Sequence, residues 1–230
     1  YDVKILNNTV YFSNEVGVHH KPLQSVDKRL NSINFQLIEG ISGISYKMEK
    51  HKNLLIVANS YGLYIIKNNK VISHAFDGIH FWDVQKIPGN TNKYFGMSSK
   101  GLYTFKIDRG KIKSPQKIAD YDHIMRFSVV ENATTIWTTD EVDGLKKIVL
   151  SKDLEKVDTI ITYKVGEEKR LVYPFILNKQ VYFSSFNNLY QIKSDQYEVA
   201  DDLKEKYNLH DEVYWFTKDN WERLWIQSDT

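Results

Sequence analysis

Short apolar runs alternate with polar turns along the whole chain, and one version of this pattern stands out. The apolar run Ile56-Val57-Ala58 is followed by the polar residues Asn59-Ser60-Tyr61 and then by a second β-rich run, Gly62-Leu63-Tyr64-Ile65-Ile66. Short runs of apolar and β-branched residues that flank a turn ending in glycine are typical of paired strands. The stretch therefore predicts a β-hairpin.

The Gly-Leu-Tyr step of this hairpin recurs at regular intervals. Related steps occur at five marker positions, which are Gly17, Gly62, Gly101, Gly144 and Asn188. These markers lie 45, 39, 43 and 44 residues apart, and such a period is typical of four-stranded propeller blades. Glycine and asparagine suit a turn that needs a positive φ, because they adopt it at the least cost.

Each unit contains two strand-like runs before the marker, one that begins with it, and a fourth, more polar run. We therefore predict an all-β fold: a β-propeller of four-stranded blades with about 43 residues each, containing five full blades and half of a sixth. The chain is expected to be one incomplete propeller domain, in which the blades span residues 1–40, 41–76, 77–120, 121–165, 166–208 and 209–230. Helical character is limited to residues 201–207, where we expect a single turn.

Composition and charge narrow the possible functions. The 230 residues carry 31 basic and 29 acidic side chains, and the densest cluster, residues 164–170, includes two glutamates. We therefore expect no contact with nucleic acid, which requires a concentrated basic surface. The lack of cysteine excludes disulfides, thiolate catalysis and Cys-based zinc sites. No apolar run approaches the ~18 residues of a membrane span, and the start at Tyr1 leads us to expect a fragment or a processed chain.

Several segments resemble a known repeat. They are the Gly-Leu-Tyr steps, Thr135-Ile136-Trp137-Thr138-Thr139 followed by Gly144-Leu145, and the end segment Lys218-Asp219-Asn220-Trp221-Glu222-Arg223-Leu224-Trp225-Ile226-Gln227-Ser228-Asp229. Together they resemble the two-component regulator propeller repeat, with an Asp turn, Leu-Trp-Ile-Gly-Thr and then Gly-Leu. The chain departs from that pattern at Gln227, where the family often has glycine, and at Asn188, where the marker glycine is replaced.

This resemblance implies a non-catalytic, periplasmic, ligand-sensing propeller of a membrane-anchored signalling receptor. Such repeats form the sensors of hybrid two-component histidine kinases and of related transcriptional regulators, many of which resemble oligosaccharide sensors. The implied partners are a small-molecule or oligosaccharide ligand, the other domains of the parent receptor, which include a histidine kinase in hybrid systems, and a second copy in a homodimer. Neither a cofactor nor a metal is expected.

The candidate binding residues follow from the path of the chain through a blade. Turns between the second and third strands and loops that enter the first strand emerge at the same end. Aromatic faces there would cover sugar C–H surface while polar groups bind hydroxyls. The alternative is that the rings are interblade core and the charged groups are solvated loop residues. The candidates are Asn59, Tyr61, His80, Trp82, Asp122, His123, Arg126, Arg170, Tyr173 and Tyr214.

Two other functions stay open. A carbohydrate-active propeller enzyme, a glycosidase or lyase, would use paired carboxylates such as Asp77, Asp122 and Glu212, whose separation decides the chemistry. A protein–protein interaction scaffold would use a propeller face instead. Catalysis by serine is not indicated, because no Gly-x-Ser-x-Gly motif occurs. The seven histidines do not have the spacing of a metal-binding motif.

Overall fold

The computed structural model describes residues 2–23, 34–120, 125–140, 144–165, 172–185, 188–209, 213–218 and 224–228. Side chains of residues 125, 126, 213–218, 224, 227 and 228 are not described. The chain divides into two compact units, Tyr1–Asp122 and His123–Thr230, called unit 1 and unit 2 below.

Unit 1 contains three antiparallel sheets of four strands, and neighbouring strands follow each other in the chain. Sheet 1 consists of β1 (Val3–Leu6), β2 (Thr9–Asn14), β3 (Gly17–Pro22) and β4 (Gln36–Leu37). Sheet 2 consists of β5 (Ser45–His51), β6 (Leu54–Asn59), β7 (Gly62–Lys67) and β8 (Lys70–Ala75). Sheet 3 consists of β9 (Phe81–Lys86), β10 (Lys93–Ser98), β11 (Gly101–Asp108) and β12 (Lys111–Ala119).

Unit 2 repeats this arrangement. Sheet 4 consists of β13 (Met125–Val130), β14 (Thr135–Asp140), β15 (Gly144–Leu150) and β16 (Val157–Tyr163). Sheet 5 consists of β17 (Tyr173–Leu177), β18 (Gln180–Ser185), β19 (Asn188–Lys193) and β20 (Gln196–Val199). The helix α1 (Asp201–Tyr207) leads to a two-stranded sheet 6 of β21 (Val213–Lys218) and β22 (Leu224–Ser228). The predicted five four-stranded sheets and the half sheet are confirmed.

Tight turns with positive φ join many of the strands. In five hairpins both central residues have φ between 46° and 75°, which fits the type I′ turn that matches strand twist. The pairs are Asn7-Asn8, Asn68-Asn69, Arg109-Gly110, Asn178-Lys179 and Ser194-Asp195. All of them lie at one end of their sheets, where the first strand turns into the second or the third into the fourth.

The marker residues begin the third strand of every four-stranded sheet, as the repeat predicts. Gly62 has φ 142°, and a Cβ atom there would lie 2.5 Å from the carbonyl oxygen of Ala75 and 3.0 Å from that of Phe76. Both obstacles are backbone atoms, so they cannot move aside as a flexible side chain would. Glycine is therefore required at this position both by the backbone angle and by the space.

Burial between neighbouring sheets explains why strands of the repeat read as continuous apolar runs. All six residues of β6 are buried. Ile56 and Ala58 pack towards sheet 3 with Phe81, whereas Leu55 and Val57 pack towards sheet 1 with other residues. In unit 2 a similar cluster joins sheets 4 and 5 through Trp137, Leu145, Val181 and Phe183. A strand with both faces buried is mostly apolar in sequence.

The prediction of a single helical turn was wrong in extent. The helix α1 has seven residues, which is about two turns. Leu203 is buried against Phe175 and Leu177 of sheet 5, and Asn208 ends the helix in the left-handed conformation with φ 52°. A short helix is marginal by itself, so this docking and the C-terminal cap explain the second turn.

Two tryptophans at matching register positions of β14 and β22 differ in exposure. In β14, Trp137 lies three residues before Asp140, which is opposite Met125 of the first strand. In β22, Trp225 lies three residues before Ser228, which is likewise opposite Val213 of the first strand. Trp137 is 1% exposed, whereas Trp225 is 54% exposed. Within the described residues, β14 is followed by β15 and β16, but β22 has no third strand beside it.

We expect Gly62→Ala to lower the free energy of unfolding by about 2 kcal/mol or more, because the new Cβ meets backbone oxygens and the φ is unfavourable. The control is Gly89→Ala, where φ is 75° but nothing lies within 4 Å of the new Cβ; its cost should be about 1 kcal/mol. Urea denaturation measures both. Equal losses for the two variants would contradict the steric argument.

Candidate functional site

A β-bulge recurs near the start of the first strand of several sheets. In β5 the register passes from Ser45 opposite Asn59 directly to Lys47 opposite Ala58, which leaves Tyr46 as the extra residue. Trp82 is the extra residue of β9 in the same way, and Tyr214 of β21. Bulges re-aim a side chain and are enriched beside functional sites. One bulged residue thus occupies the same register position in the first strands of sheets 2, 3 and 6.

In unit 1 the bulged residues form an aromatic cluster with His80. The His80 ring lies between the other two, with its centroid 5.0 Å from that of Tyr46 and 4.7 Å from that of Trp82. All three side chains are half-buried. The strands β5 and β9 that carry Tyr46 and Trp82 lie next to each other. The cluster therefore presents a partly exposed aromatic surface at the junction of sheets 2 and 3.

Charged groups follow the aromatic cluster along the same strands. Lys47 and Asp83 each come directly after the bulged residue, and Asp83 is buried, with its Oδ2 accepting a hydrogen bond from Gln85 Nε2 at 2.7 Å. Burial acts to lower the pKa of Lys47, but the carboxylates of Asp2, Asp83 and Glu49 outweigh it, and the pKa is raised. Lys47 is therefore held as a cation close to carboxylates.

Burial also raises the pKa of Glu49, although Lys4 and Lys47 act in the opposite direction. The Asp2 side chain connects this group to sheet 1, because its Oδ2 accepts a hydrogen bond from the Met48 backbone N–H at 2.9 Å. A carboxylate thus satisfies a backbone donor at the edge of β5. The aromatic cluster is in this way bordered by fixed charges of both signs.

Asn59 lies inside the protein and not on its surface. Its Nδ2 donates to the carbonyl oxygens of Ser42 and Gly43 and to Ser45 Oγ at 2.9–3.3 Å, and its Oδ1 accepts from the Tyr61 N–H at 2.8 Å. The side chains of Asn14 and Ser98, at the ends of β2 and β10, each accept a hydrogen bond from a backbone N–H of the corresponding turn in their own sheet. A polar residue at the end of each of these second strands therefore holds the turn to the third.

Tyr61 follows in this turn and is 51% exposed. Its ring packs on Gly43, where a Cβ atom would lie 2.6 Å from a ring carbon. The Tyr61 carbonyl accepts hydrogen bonds from the Gly78 N–H and His74 Nε2. The turn is thus fixed while its aromatic ring stays accessible.

Unit 2 has its own ring contact at the start of its first strands. Tyr173 lies 4.7 Å from Phe127, measured between ring centroids, and Phe127 is exposed. Tyr173 is not a bulge residue, since β17 pairs with β18 in continuous register. In β13 the register passes from Met125 to Ser128 and includes a bulge at Arg126 and Phe127.

The structure brings together only part of the predicted site. His80 and Trp82 are in contact, Asn59 is buried in the turn, Tyr61 is exposed, and Tyr173 contacts Phe127. Arg126 and Tyr214 lie in β13 and β21, but their side chains are outside the described residues. Asp122, His123 and Arg170 also lie outside them, as do two of the proposed carboxylates, Asp122 and Glu212. A binding role for these residues stays a prediction.

Sequence reasoning missed Tyr46, Asp83 and Phe127. Tyr46 occupies the same register position in β5 as Trp82 does in β9. An alignment of the five repeats by their first strands would therefore have indicated Tyr46. Asp83 had a signal too, because a charged residue interrupts the apolar strand Phe81–Lys86. The bulge itself left no signal in the sequence.

Comparison with solved structures places the chain among propellers. It superimposes on the WD40 β-propeller domain of Doa1 with a TM-score of 0.65, at 12% identity over 98% of this chain and 74% of that one. The extracellular domain of a putative hybrid two-component system from B. thetaiotaomicron gives 0.66, at 10% identity over 99% of this chain and 32% of that one. The Cps50 (Swd1) β-propeller domain of Myceliophteria thermophila gives 0.60, at 7% identity over 86% and 68%.

The chain has a β-propeller fold. It spans about a third of the length of the two-component sensor domain that it resembles. No protein-family model matches the sequence, and no characterised protein matches it by sequence. Within the described residues, no helix has the length and apolar content needed to cross a membrane.

We expect Asn59→Ala to lower the free energy of unfolding by about 3 kcal/mol, because four hydrogen bonds of a buried amide are lost and one of their partners, Ser45, stays buried. Ser98→Ala, which removes the two hydrogen bonds at the equivalent turn of sheet 3, should cost about 1 kcal/mol. Urea unfolding of both variants is the measurement. A smaller loss for Asn59→Ala than for Ser98→Ala would contradict the internal role of Asn59.

Proposed function

We propose that this chain is the non-catalytic, extracytoplasmic ligand-sensing propeller of a membrane-anchored signalling receptor. The observation that carries the proposal is the half-buried aromatic cluster of Tyr46, His80 and Trp82. Two of its members are bulged residues at the same register position of sheets 2 and 3. A scaffold needs no such irregularity, whereas a binding site uses it to turn side chains towards a ligand.

The chemistry of the cluster favours an oligosaccharide or another small polar ligand. Flat aromatic faces cover the C–H surface of a sugar ring, and polar groups beside them bind its hydroxyls. Lys47, Asp83 and Gln85 follow the cluster on the same two strands and supply donors and acceptors. Because Asp83 is held by Gln85, these groups are ordered before a ligand arrives, which lowers the entropic cost of binding.

The receptor role is supported by the similarity to the extracellular domain of a putative hybrid two-component system. In this proposal the chain lies in the periplasm, joined to the other domains of a two-component or related transcriptional regulator, and acts as part of a homodimer. Ligand binding at the cluster would favour one of two receptor conformations, and the free energy available equals the difference in affinity for the two.

A protein–protein scaffold is the second candidate, and the similarity to the WD40 propeller of Doa1 favours it, since its TM-score is nearly the same as that of the sensor domain. A carbohydrate-active propeller enzyme is the third, and it requires carboxylates at a suitable separation. Of the three proposed carboxylates, Asp77 alone is described.

The sensor proposal predicts that some member of a broad oligosaccharide panel raises the thermal unfolding temperature of the chain by several degrees. Trp82→Ala and Tyr46→Ala should each weaken that ligand about tenfold or more, because stacking on the ring is lost. The matched control is Trp225→Ala, which removes an exposed tryptophan from β22, and it should leave the affinity unchanged. Isothermal titration calorimetry measures the affinities.

The three functions give different results in this experiment. A folded chain that no oligosaccharide stabilises would favour the scaffold. Turnover of a stabilising oligosaccharide into shorter products would favour the enzyme. Equal loss of affinity in Trp82→Ala and Trp225→Ala would place the ligand elsewhere and overturn the assignment of the cluster.

A further inference from the structure

Sheet 3 is much more positively charged than the net charge of +2 for the whole chain indicates. The whole chain has 31 basic and 29 acidic residues, but residues 81–119 contain eight lysines and arginines against two aspartates. One of these, Asp83, is buried near Lys47. The other, Asp108, stands opposite Lys111 in the strand register. The outer strands of this sheet are therefore strongly basic.

The strand register gathers three of these lysines into a row. Lys93 of β10 is directly opposite Lys106 of β11, and Lys106 is directly opposite Lys113 of β12. Residues directly opposite each other project from the same face of a sheet. Neighbouring strands are about 4.8 Å apart, so the backbone positions of the row span about 10 Å. We call Lys93, Lys106 and Lys113 the lysine row.

The lysine row is not neutralised within the described part of the chain. None of its three members takes part in an ion pair there, although Lys117 of the same sheet pairs with Asp120. Lys106 and Lys113 are exposed, and Lys93 is half-buried. Like charges directly opposite each other destabilise a sheet. The fold therefore carries an unfavourable arrangement at this place that an anion would relieve.

Protection of the sheet edge does not account for the row. The edge strand β12 already has other devices against pairing with a further strand: Ser114 with φ 48°, Pro115, and two breaks in its register. Lysines on β12, such as Lys113, also help to keep this edge strand from pairing. Lys93, however, lies on β10, which is flanked by β9 and β11 and has no free edge. The row thus extends to where edge protection is not needed.

We propose that the lysine row is a binding site for an anionic polysaccharide, whose sulfate or carboxylate groups pair with the ammonium groups. Lysine presents a point charge without the planar fork that makes arginine suited to nucleic acids. The row includes no aromatic side chain on which bases would stack. Protein interfaces are depleted in lysine, and an extended segment cannot add to the blocked edge of β12. A flexible, linear polyanion fits the remaining features.

This site differs from the aromatic cluster and does not rest on the proposed function. Lys93 and Lys106 are opposite each other at one end of the paired strands β10 and β11. Ser98 and Gly101 are opposite each other at the other end, next to the bulge at Trp82. Five residues of strand separate the two ends, which is about 17 Å. Both sites lie on sheet 3 of unit 1, at opposite ends of its strands, so each can bind its own ligand.

The test is binding of heparin, a sulfated polysaccharide, to the full chain and to the variant Lys93→Gln, Lys106→Gln, Lys113→Gln. The variant should bind heparin about tenfold more weakly or worse, with a shallower dependence on salt, because three ion pairs are lost. The control changes three other exposed lysines of unit 1 in the same way, and no two of these are opposite each other: Lys50→Gln, Lys52→Gln, Lys67→Gln. It has the same net charge and should keep most of the affinity.

Thermal unfolding separates a binding role from a structural one. The row variant should unfold at the same or a higher temperature than the natural chain, because the repulsion between neighbouring lysines is removed. Loss of heparin binding together with retained stability supports the proposal. No binding of heparin by the natural chain near 0.15 M salt, or equal loss in both triple variants, overturns it.

The partner class is tested with three further probes: polyglutamate, a DNA duplex, and vesicles that contain phosphatidylserine. Each is compared with heparin at equal salt. Tighter binding of any of them through the lysine row overturns the assignment to a polysaccharide in favour of that class. Trp82→Ala should leave heparin affinity unchanged, so this proposal and the sensor proposal fail independently.

Discussion

The structure depends on the need to bury both faces of each four-stranded sheet. A sheet whose central strand carries five successive apolar residues, as residues 54–58 of β6 are, cannot be stable with one face in water. Stacking one sheet on the next removes both faces from water, and the resulting clusters pass from sheet 1 through sheet 2 to sheet 3. In unit 2, Trp137 is 1% exposed within the cluster that joins sheets 4 and 5.

The stacking fixes the sheets and leaves their two ends available for other roles. At one end, two-residue turns of type I′ close the hairpins. At the other end, buried polar residues such as Asn59 and Ser98 hold the turns, and bulges at Tyr46 and Trp82 interrupt the regular pairing. A rigid sheet with an irregular end is a suitable basis for a site, because the scaffold holds the irregular residues in place.

Charge is distributed unevenly in the same structure. Close to the aromatic cluster, charges of opposite sign are combined, as Lys47 with the carboxylates of Asp2, Asp83 and Glu49. Along the lysine row, like charges are combined and no carboxylate of the described chain pairs with them. The first arrangement stabilises the fold, whereas the second costs stability, and a persistent cost of this kind is a reason to look for a ligand.

The sequence by itself determined the number of sheets, the order of their strands and the place of the helix. These features depend on local preferences: a turn with positive φ favours glycine or asparagine, and a doubly buried strand favours a run of apolar residues. Gly62, Asn7-Asn8 and the run that ends at Asn59 all meet such preferences within a few residues of chain. The period of the repeat follows from them.

Only the tertiary structure decided which side chains meet. The burial of Asn59 depends on carbonyl groups 16 and 17 residues earlier in the chain. The contact of Tyr46 with His80 depends on the stacking of different sheets, and the alignment of Lys93 with lysines of two other strands depends on cross-strand register. A bulge shifts that register by one residue and so changes the neighbours of a side chain without any local signal. Pairings between distant residues therefore had to be seen in the folded chain.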